Sequence, residues 1–213
     1  MISVSIQKEY PSKGGGYFYT GLVKVDDELS FFPRVNQYED GNIKVTIPDQ
    51  ISILSEKTAD QMYQAFCDVV KKIREAPGQT PEPISFGEDT IMKSIEGHLT
   101  PSKDGSTPTV WENSKYNSHA SITFDFSDST GEKIFGIDTT LRSRSDGSGK
   151  FIALPSKLGS DGKYYKEVSC SREISNLLNE KGLALYDEEL SKKNKGIVQE
   201  STQKPEKKNT QSR

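Results

Sequence analysis

Ile2, Val4 and Ile6 alternate with Ser3 and Ser5 at the start of the chain, the period-two pattern of a strand with one buried face. The run Pro11 to Gly16 then turns the chain. Tyr17 to Val25 is aromatic and β-branched, and Leu29, Phe31 and Val35 alternate with Ser30, Phe32 and Arg34. This predicts a hairpin across Asp26-Asp27-Glu28. Pro33 has no amide hydrogen to give to a ladder, so the second strand of that hairpin is expected at an edge or with a bulge. After the turn pair Asp40-Gly41, Ile43, Val45 and Ile47 alternate with Lys44 and Thr46 up to Pro48. The expectation is one strand followed by a three-strand meander.

The period then changes. Met62, Phe66, Val69, Val70 and Ile73 recur at helical intervals, with Thr58 and Gln61 spaced as a capping box. The helix is expected to stop at Ala76-Pro77-Gly78. Residues 77–87 hold three prolines and two glycines, the composition of a linker.

Beyond it the same order of elements returns. Ile91 to Leu99 reads as a strand, and Pro101-Ser102-Lys103-Asp104-Gly105 parallels Pro11-Ser12-Lys13-Gly14. Ala120, Ile122, Phe124 and Phe126 alternate with polar residues, and Phe135, Ile137, Thr139 and Leu141 close on Arg142 as the earlier strand closes on Arg34. Asp146-Gly147 leads to Phe151-Ile152-Ala153-Leu154-Pro155, which parallels Lys44-Val45-Thr46-Ile47-Pro48. A second helix is expected from about Ser171, carrying Ile174, Leu177, Leu178, Leu185 and Leu190, with Gly182 as a kink. The expected fold is therefore α+β, with two repeated modules that each carry an antiparallel meander and a C-terminal helix. Residues 1–76 form a degenerate first module, 77–89 a linker, 90–190 the second module and 191–213 a disordered basic tail.

Composition adds limits. Hydrophobic residues make up 32% and charged residues 28%, a balance that suits small, thinly cored modules. No apolar run approaches the length of a membrane span, and the start lacks a basic segment followed by an apolar one, so the expected location is the cytoplasm. Cys67 and Cys170 are far apart, which implies reduced, buried thiols and no zinc pair or disulfide framework. From Ser191 onward there are seven Lys or Arg against two Glu, while the net charge of the chain is -3. Residues 1–190 are thus acidic, and any contact with nucleic acid has to be local.

The stretch from Ile134 to Lys163 resembles the stage V sporulation protein G, or septation protein, family. The matching residues are Asp146-Gly147, then Phe151-Ile152-Ala153-Leu154-Pro155-Ser156-Lys157, then Asp161-Gly162-Lys163-Tyr164. Leu154 stands where that family has methionine. The resemblance covers Thr90 to Leu190 well and Met1 to Glu75 weakly, for Asp49-Gln50 follows Pro48 where the family has Ser-Lys. What it implies is a fused pseudo-dimer of a module that elsewhere pairs through strands. It also implies a regulator of septation, sporulation or gene expression that binds DNA or RNA.

Chemistry-bearing residues are few. His98 and His119 have no cysteine or carboxylate nearby at ligand spacing, and each reads as a surface strand residue. Lys13-Gly14-Gly15-Gly16 reverses the order of a phosphate loop and reads as a turn. Asp125, Asp128, Glu132 and Asp138 lack the spacing of an oxygen-ligated metal site. The expectation is no enzyme, no cofactor and no metal. Arg142, Arg144, Lys150, Lys157, Lys163, Lys166 and Arg172 crowd the turns and helix start of the second module, with Tyr164 and Tyr165 among them. Cations projected from turns and helix starts bind phosphates, and exposed aromatic rings stack on unpaired bases. The leading expectation is a regulator that contacts DNA or RNA through the second module. The alternative is a protein-interaction module that acts on division machinery through exposed sheet edges or the tail.

Overall fold

The computed structural model of the chain describes residues 1–87, 94–101, 108–112 and 117–201. The fold is mixed α+β, a curled antiparallel sheet framework with two helices. In order come β1 (Ile2–Pro11), β2 (Tyr17–Val25), β3 (Leu29–Phe31), β4 (Arg34–Gln37), β5 (Ile43–Thr46), β6 (Ile51–Ile53), α1 (Glu56–Glu75) and β7 (Ile84–Phe86). There follow β8 (Ser94–Leu99), β9 (Ser118–Ser127), β10 (Lys133–Ser143), β11 (Lys150–Ala153), β12 (Ser156–Leu158), β13 (Tyr164–Lys166), β14 (Val168–Cys170) and α2 (Arg172–Ser201).

One sheet has seven strands in the order β14-β3-β2-β1-β7, with β4 and β5 continuing beside β2; the other runs β11-β10-β9-β8, with β6 beside β10. β12 and β13 form a hairpin of their own. The short strands before the helices cross over. Ile51, Ser52 and Ile53 pair with Ile137, Gly136 and Phe135 of β10, while Val168, Ser169 and Cys170 pair with Phe31, Ser30 and Leu29 of β3. Flanking amides extend both contacts: Asp138 N–H donates to Gln50 C=O at 2.8 Å, and Ser171 N–H donates to Glu28 C=O at 2.7 Å.

The local chemistry explains these elements. Asp26 and Asp27 both take positive φ, the conformation of a tight two-residue hairpin turn, and Glu28 N–H closes it on Val25 C=O. Phe32-Pro33 splits the strand after the hairpin into β3 and β4, and the Pro33 carbonyl accepts from Gly21 N–H at 2.8 Å. Gly16 holds φ +77°, and a Cβ there would lie 2.1 Å from the Gln37 carbonyl oxygen, so glycine is required where the β1–β2 turn passes β4.

Several expectations change. The N-cap of α1 is Ser55, whose Oγ accepts from Thr58 N–H at 3.4 Å; Thr58 lies inside the helix and is buried. Ser55 wins because it stands in extended conformation just where β6 ends. Within the stretch read as a linker, Ile84–Phe86 forms β7 against Val4 to Ile2, since this alternating triplet covers the open edge of β1. Ser191 to Ser201, read as tail, continues α2. Gly182 makes no break in α2; it lets the helix approach β11, for a Cβ there would meet Ile152 Cδ1 at 2.5 Å. The expected strand start at Ile91, the turn at Ser102 to Gly105, and residues 202–213 lie outside the described residues.

Met62, Ala65, Phe66, Val69, Val70 and Ile73 of α1 and Ile174, Leu178 and Tyr186 of α2 are buried in the same hydrophobic cluster as the inner faces of both sheets. Its aromatic seam joins the halves: Phe135 stacks on Phe126 with centroids 4.6 Å apart, and Phe31 meets Phe135 at 6.5 Å. At the end of α1, the Arg74 guanidinium lies 3.6 Å from the centroid of Tyr17 and ion-pairs with Glu9, tying the helix to the β1–β2 hairpin.

Gly21 is where α1 comes closest onto β2, since a Cβ there would lie 2.7 Å from Phe66 Cε1. Gly21→Ala is expected to destabilise the fold by about 1–3 kcal/mol in urea titration. Gly14→Ala, in open space, should stay within about 0.5 kcal/mol. The crossed strands predict a further outcome. A chain cleaved between Gly87 and Ser94 should migrate on gel filtration as one particle until denaturant separates the halves; two independently folded fragments would contradict the pairing.

Candidate nucleic-acid interface

The seven cations singled out in the sequence do not form one patch. Arg142 and Arg144 lie at the end of β10 and in the turn after it, where Arg144 N–H donates to Gly149 C=O at 2.8 Å. Both are exposed and line a concavity of about 400 Å³ together with Asn117, Ser143, Ser145 and Phe151. The Arg144 guanidinium lies 5.4 Å from the ring centroid of Phe151. Neither guanidinium is within ion-pair distance of a described carboxylate. Asp146 on the same rim is engaged by its own turn, accepting from Ser148 N–H at 2.9 Å and Ser148 O–H at 2.7 Å. Those donors, the hydroxyl first, hold its carboxyl below the usual range.

Lys150 is turned away. It pairs in register with Ser143 on the opposite side of the sheet from Arg142 and Phe151, and its ammonium lies 5.1 Å from the ring centroid of Tyr186 on α2. Lys157, on β12, lines a different concavity of about 260 Å³ together with Arg34, Lys44, Tyr38, Asp49 and Glu167. Lys163 closes the β12–β13 turn, its N–H bonded to Asp161 at 3.1 Å. Lys166 pairs with Ser156 across the hairpin, and Arg172 opens α2 after the N-cap Ser171, whose Oγ accepts from Ile174 N–H. Arg34 and Lys44 were not singled out in the sequence. The signal that could have placed them is the parallel between Pro48 and Pro155, which puts the two post-proline segments at matching points of the chain.

The β12–β13 hairpin stands between two concavities. By register Ser156, Leu158, Tyr164 and Lys166 share one face and Lys157 and Tyr165 the other. Ser156 and Tyr164 line a third concavity of about 390 Å³, with Gln50, Asp138, Thr140, Arg142, Leu154 and Pro155. Arg142 therefore belongs to this concavity and to the one shared with Arg144. Tyr164 is 73% exposed. At the neck of the hairpin the Pro155 carbonyl accepts from both Glu167 N–H at 3.0 Å and Val168 N–H at 3.4 Å.

Several other titratable groups are held by structure. His119 is buried, not a surface residue as expected from the sequence. It falls where the β9–β10 register shifts, and that bulge aims its ring inward. Nδ1 lies 2.8 Å from the Trp111 carbonyl oxygen, which can only accept, so Nε2 receives the Ser143 hydroxyl at 2.7 Å. Tyr186 O–H donates to the same Trp111 oxygen at 3.0 Å. The network fastens the 108–112 segment to β9 and α2. Asp125 bonds Lys133 at 2.6 Å, Asp138 accepts from Thr123 at 2.6 Å, and Asp128 is held by Thr130 and Glu132 of its own turn. Cys67 and Cys170 are free and half-buried, and burial pushes both thiols up.

At the hairpin tip Tyr165 O–H donates to Asp161 Oδ2 at 2.7 Å. This bond holds the Asp161 carboxyl below its ordinary range and the Tyr165 phenol above its own. The depressed carboxyl contributes order above its unfolded pKa and loses it as pH falls through the folded value. The raised phenol contributes below its unfolded pKa and loses it as pH rises through the folded one. Tip order is thus expected to be greatest between about pH 4 and 10. An NMR titration of the Lys163 amide and Tyr165 ring checks this, and Asp161→Asn should remove the acid limb.

Set against models of protein families, curated proteins and solved structures, the chain matches none of them.

Proposed function

We propose that the chain is a tandem pair of one α+β module, a pseudo-dimer in a single polypeptide, acting as a non-enzymatic regulator that contacts DNA or RNA. The pairing geometry supports the tandem reading. β10 carries β6 beside its first part and β11 beside its second, and the β3–β4 pair likewise carries β14 and then β5. Each module would thus lend the other the short strand that precedes its helix. The resemblance of Ile134 to Lys163 to the septation protein family extends the proposal to the control of septation, sporulation or gene expression in the cytoplasm.

The observation that carries nucleic-acid contact is the pair Arg142 and Arg144, exposed on one concave rim with the hydroxyl of Ser145 and the amide of Asn117. Guanidinium groups beside neutral donors bind phosphate oxygens without neutralising partners to displace. Lys157 adds a second cationic point together with Arg34 and Lys44 of the first module. The proposed interface is therefore centred on the second module and reaches the first at Lys44, although Asp49 and Glu167 weaken that arm. A second reading is favoured by Leu158, Tyr164 and Tyr165, all more than half exposed on one hairpin: a docking element for a protein partner.

Salt separates the two. Phosphate contact weakens as counterions rise, and each lost contact lowers the salt slope by about 0.7–0.9. Arg142→Glu with Arg144→Glu is expected to abolish gel-shift binding to DNA and RNA and to leave folding intact. Lys44→Glu and Lys157→Glu should each weaken binding to a similar, smaller extent. A double variant that binds as tightly as the parent at every salt concentration would move the assignment to the protein-docking reading.

A further inference from the structure

Two adjoining concavities share Arg142 and differ in charge. The one with Arg142 and Arg144 carries two cations against Asp146, whose Oδ1 is already hydrogen-bonded within its turn. The other balances Arg142 against Asp138 and is otherwise lined by neutral groups. A phosphate entering the second would face the Asp138 carboxylate, so charge directs an anion to the first and a neutral polar group to the second. The second has the lining that suits a flat heteroaromatic ring. Tyr164 offers an exposed aromatic face, Leu154 and Pro155 form apolar surface, and Asp138 and Gln50 supply an acceptor and an amide at the wall. Its volume, about 390 Å³, falls within the range of small-ligand sites, about 300–1,000 Å³.

We propose that the ligand is single-stranded nucleic acid, with one unpaired base in the concavity beside Tyr164 and its phosphate between Arg142 and Arg144. The inference rests on the nucleic-acid reading above and names the strand state within it. In a duplex the base faces are covered by stacking, and a base would have to be extruded to meet Tyr164, whereas a single strand offers its faces directly. The ring is free for this, since Tyr164 stands on a two-stranded hairpin and is the most exposed large hydrophobic side chain of the described residues.

The test is fluorescence anisotropy of the full chain with a labelled 20-nucleotide single strand of DNA, the RNA of the same sequence, and the duplex, at low salt. The parent is expected to bind the single strands more tightly than the duplex. Tyr164→Ala should weaken single-strand binding roughly tenfold or more and leave duplex binding unchanged, while Tyr164→Phe, which keeps the ring, should match the parent. A preference for DNA or RNA would tell the two sources of the strand apart. Equal affinity for single strand and duplex, or no loss in Tyr164→Ala, overturns the base slot while leaving phosphate contact at Arg142 and Arg144 in place. No binding of any of the three overturns the nucleic-acid reading itself, and this inference with it.

Discussion

The exchange of two three-residue strands is the constraint on which the architecture depends. Without β6, the first part of β10 would show a bare row of amides and carbonyls, and without β14 so would β3. Such edges invite pairing with other chains. Each strand contributes only a few hydrogen bonds, worth about 0.5–1.5 kcal/mol net apiece. Their larger effect is positional. Ile51 and Val168 become buried, and the Ser55 and Ser171 caps are delivered to the starts of α1 and α2. Each helix then packs on the sheet of its own half, α1 on β1 and β7 and α2 on β11 and β8, although the strand that delivers it pairs in the other sheet.

The same crossing determines which charges meet. The segment after Pro155 is drawn toward β3, and this brings Lys157 beside Arg34 and Lys44. Cations far apart in the chain become neighbours, whereas Lys150, only eight positions from Arg142, faces α2 across the sheet. Proximity in sequence is a poor guide here because alternate residues of a strand point to opposite faces.

Much of the fold was legible in the sequence because the signals were local. The alternation of Ile2, Val4 and Ile6, the helical spacing of Met62 to Ile73 and the break at Pro33 each act within a few residues. Elements that needed a distant partner were not. Ile51–Ile53 and Val168–Cys170 are too short to declare a period, and Ile84–Phe86 sits in a proline-rich stretch that reads as linker until β1 is seen to lack a neighbour. His119 was misplaced for the same reason. Its burial comes from a bulge in the β9–β10 register and from Trp111 and Tyr186 closing over it, neither of which leaves a trace beside it in the chain. For the site, residue types were readable, but their division among three concavities was set by strand register.

The neck of the β12–β13 hairpin carries a consequence for how this chain tolerates change. One carbonyl, that of Pro155, receives both Glu167 N–H and Val168 N–H, so the chain leaves the framework and rejoins it at a single point. The first half passes from Pro48 to β6 with no such excursion. What lies above the neck can lengthen, shorten or change its residues at small entropic cost, since loop closure depends only weakly on length. The register below is untouched. The hairpin can therefore change in length while the crossed strands beneath it stay under the constraints of packing.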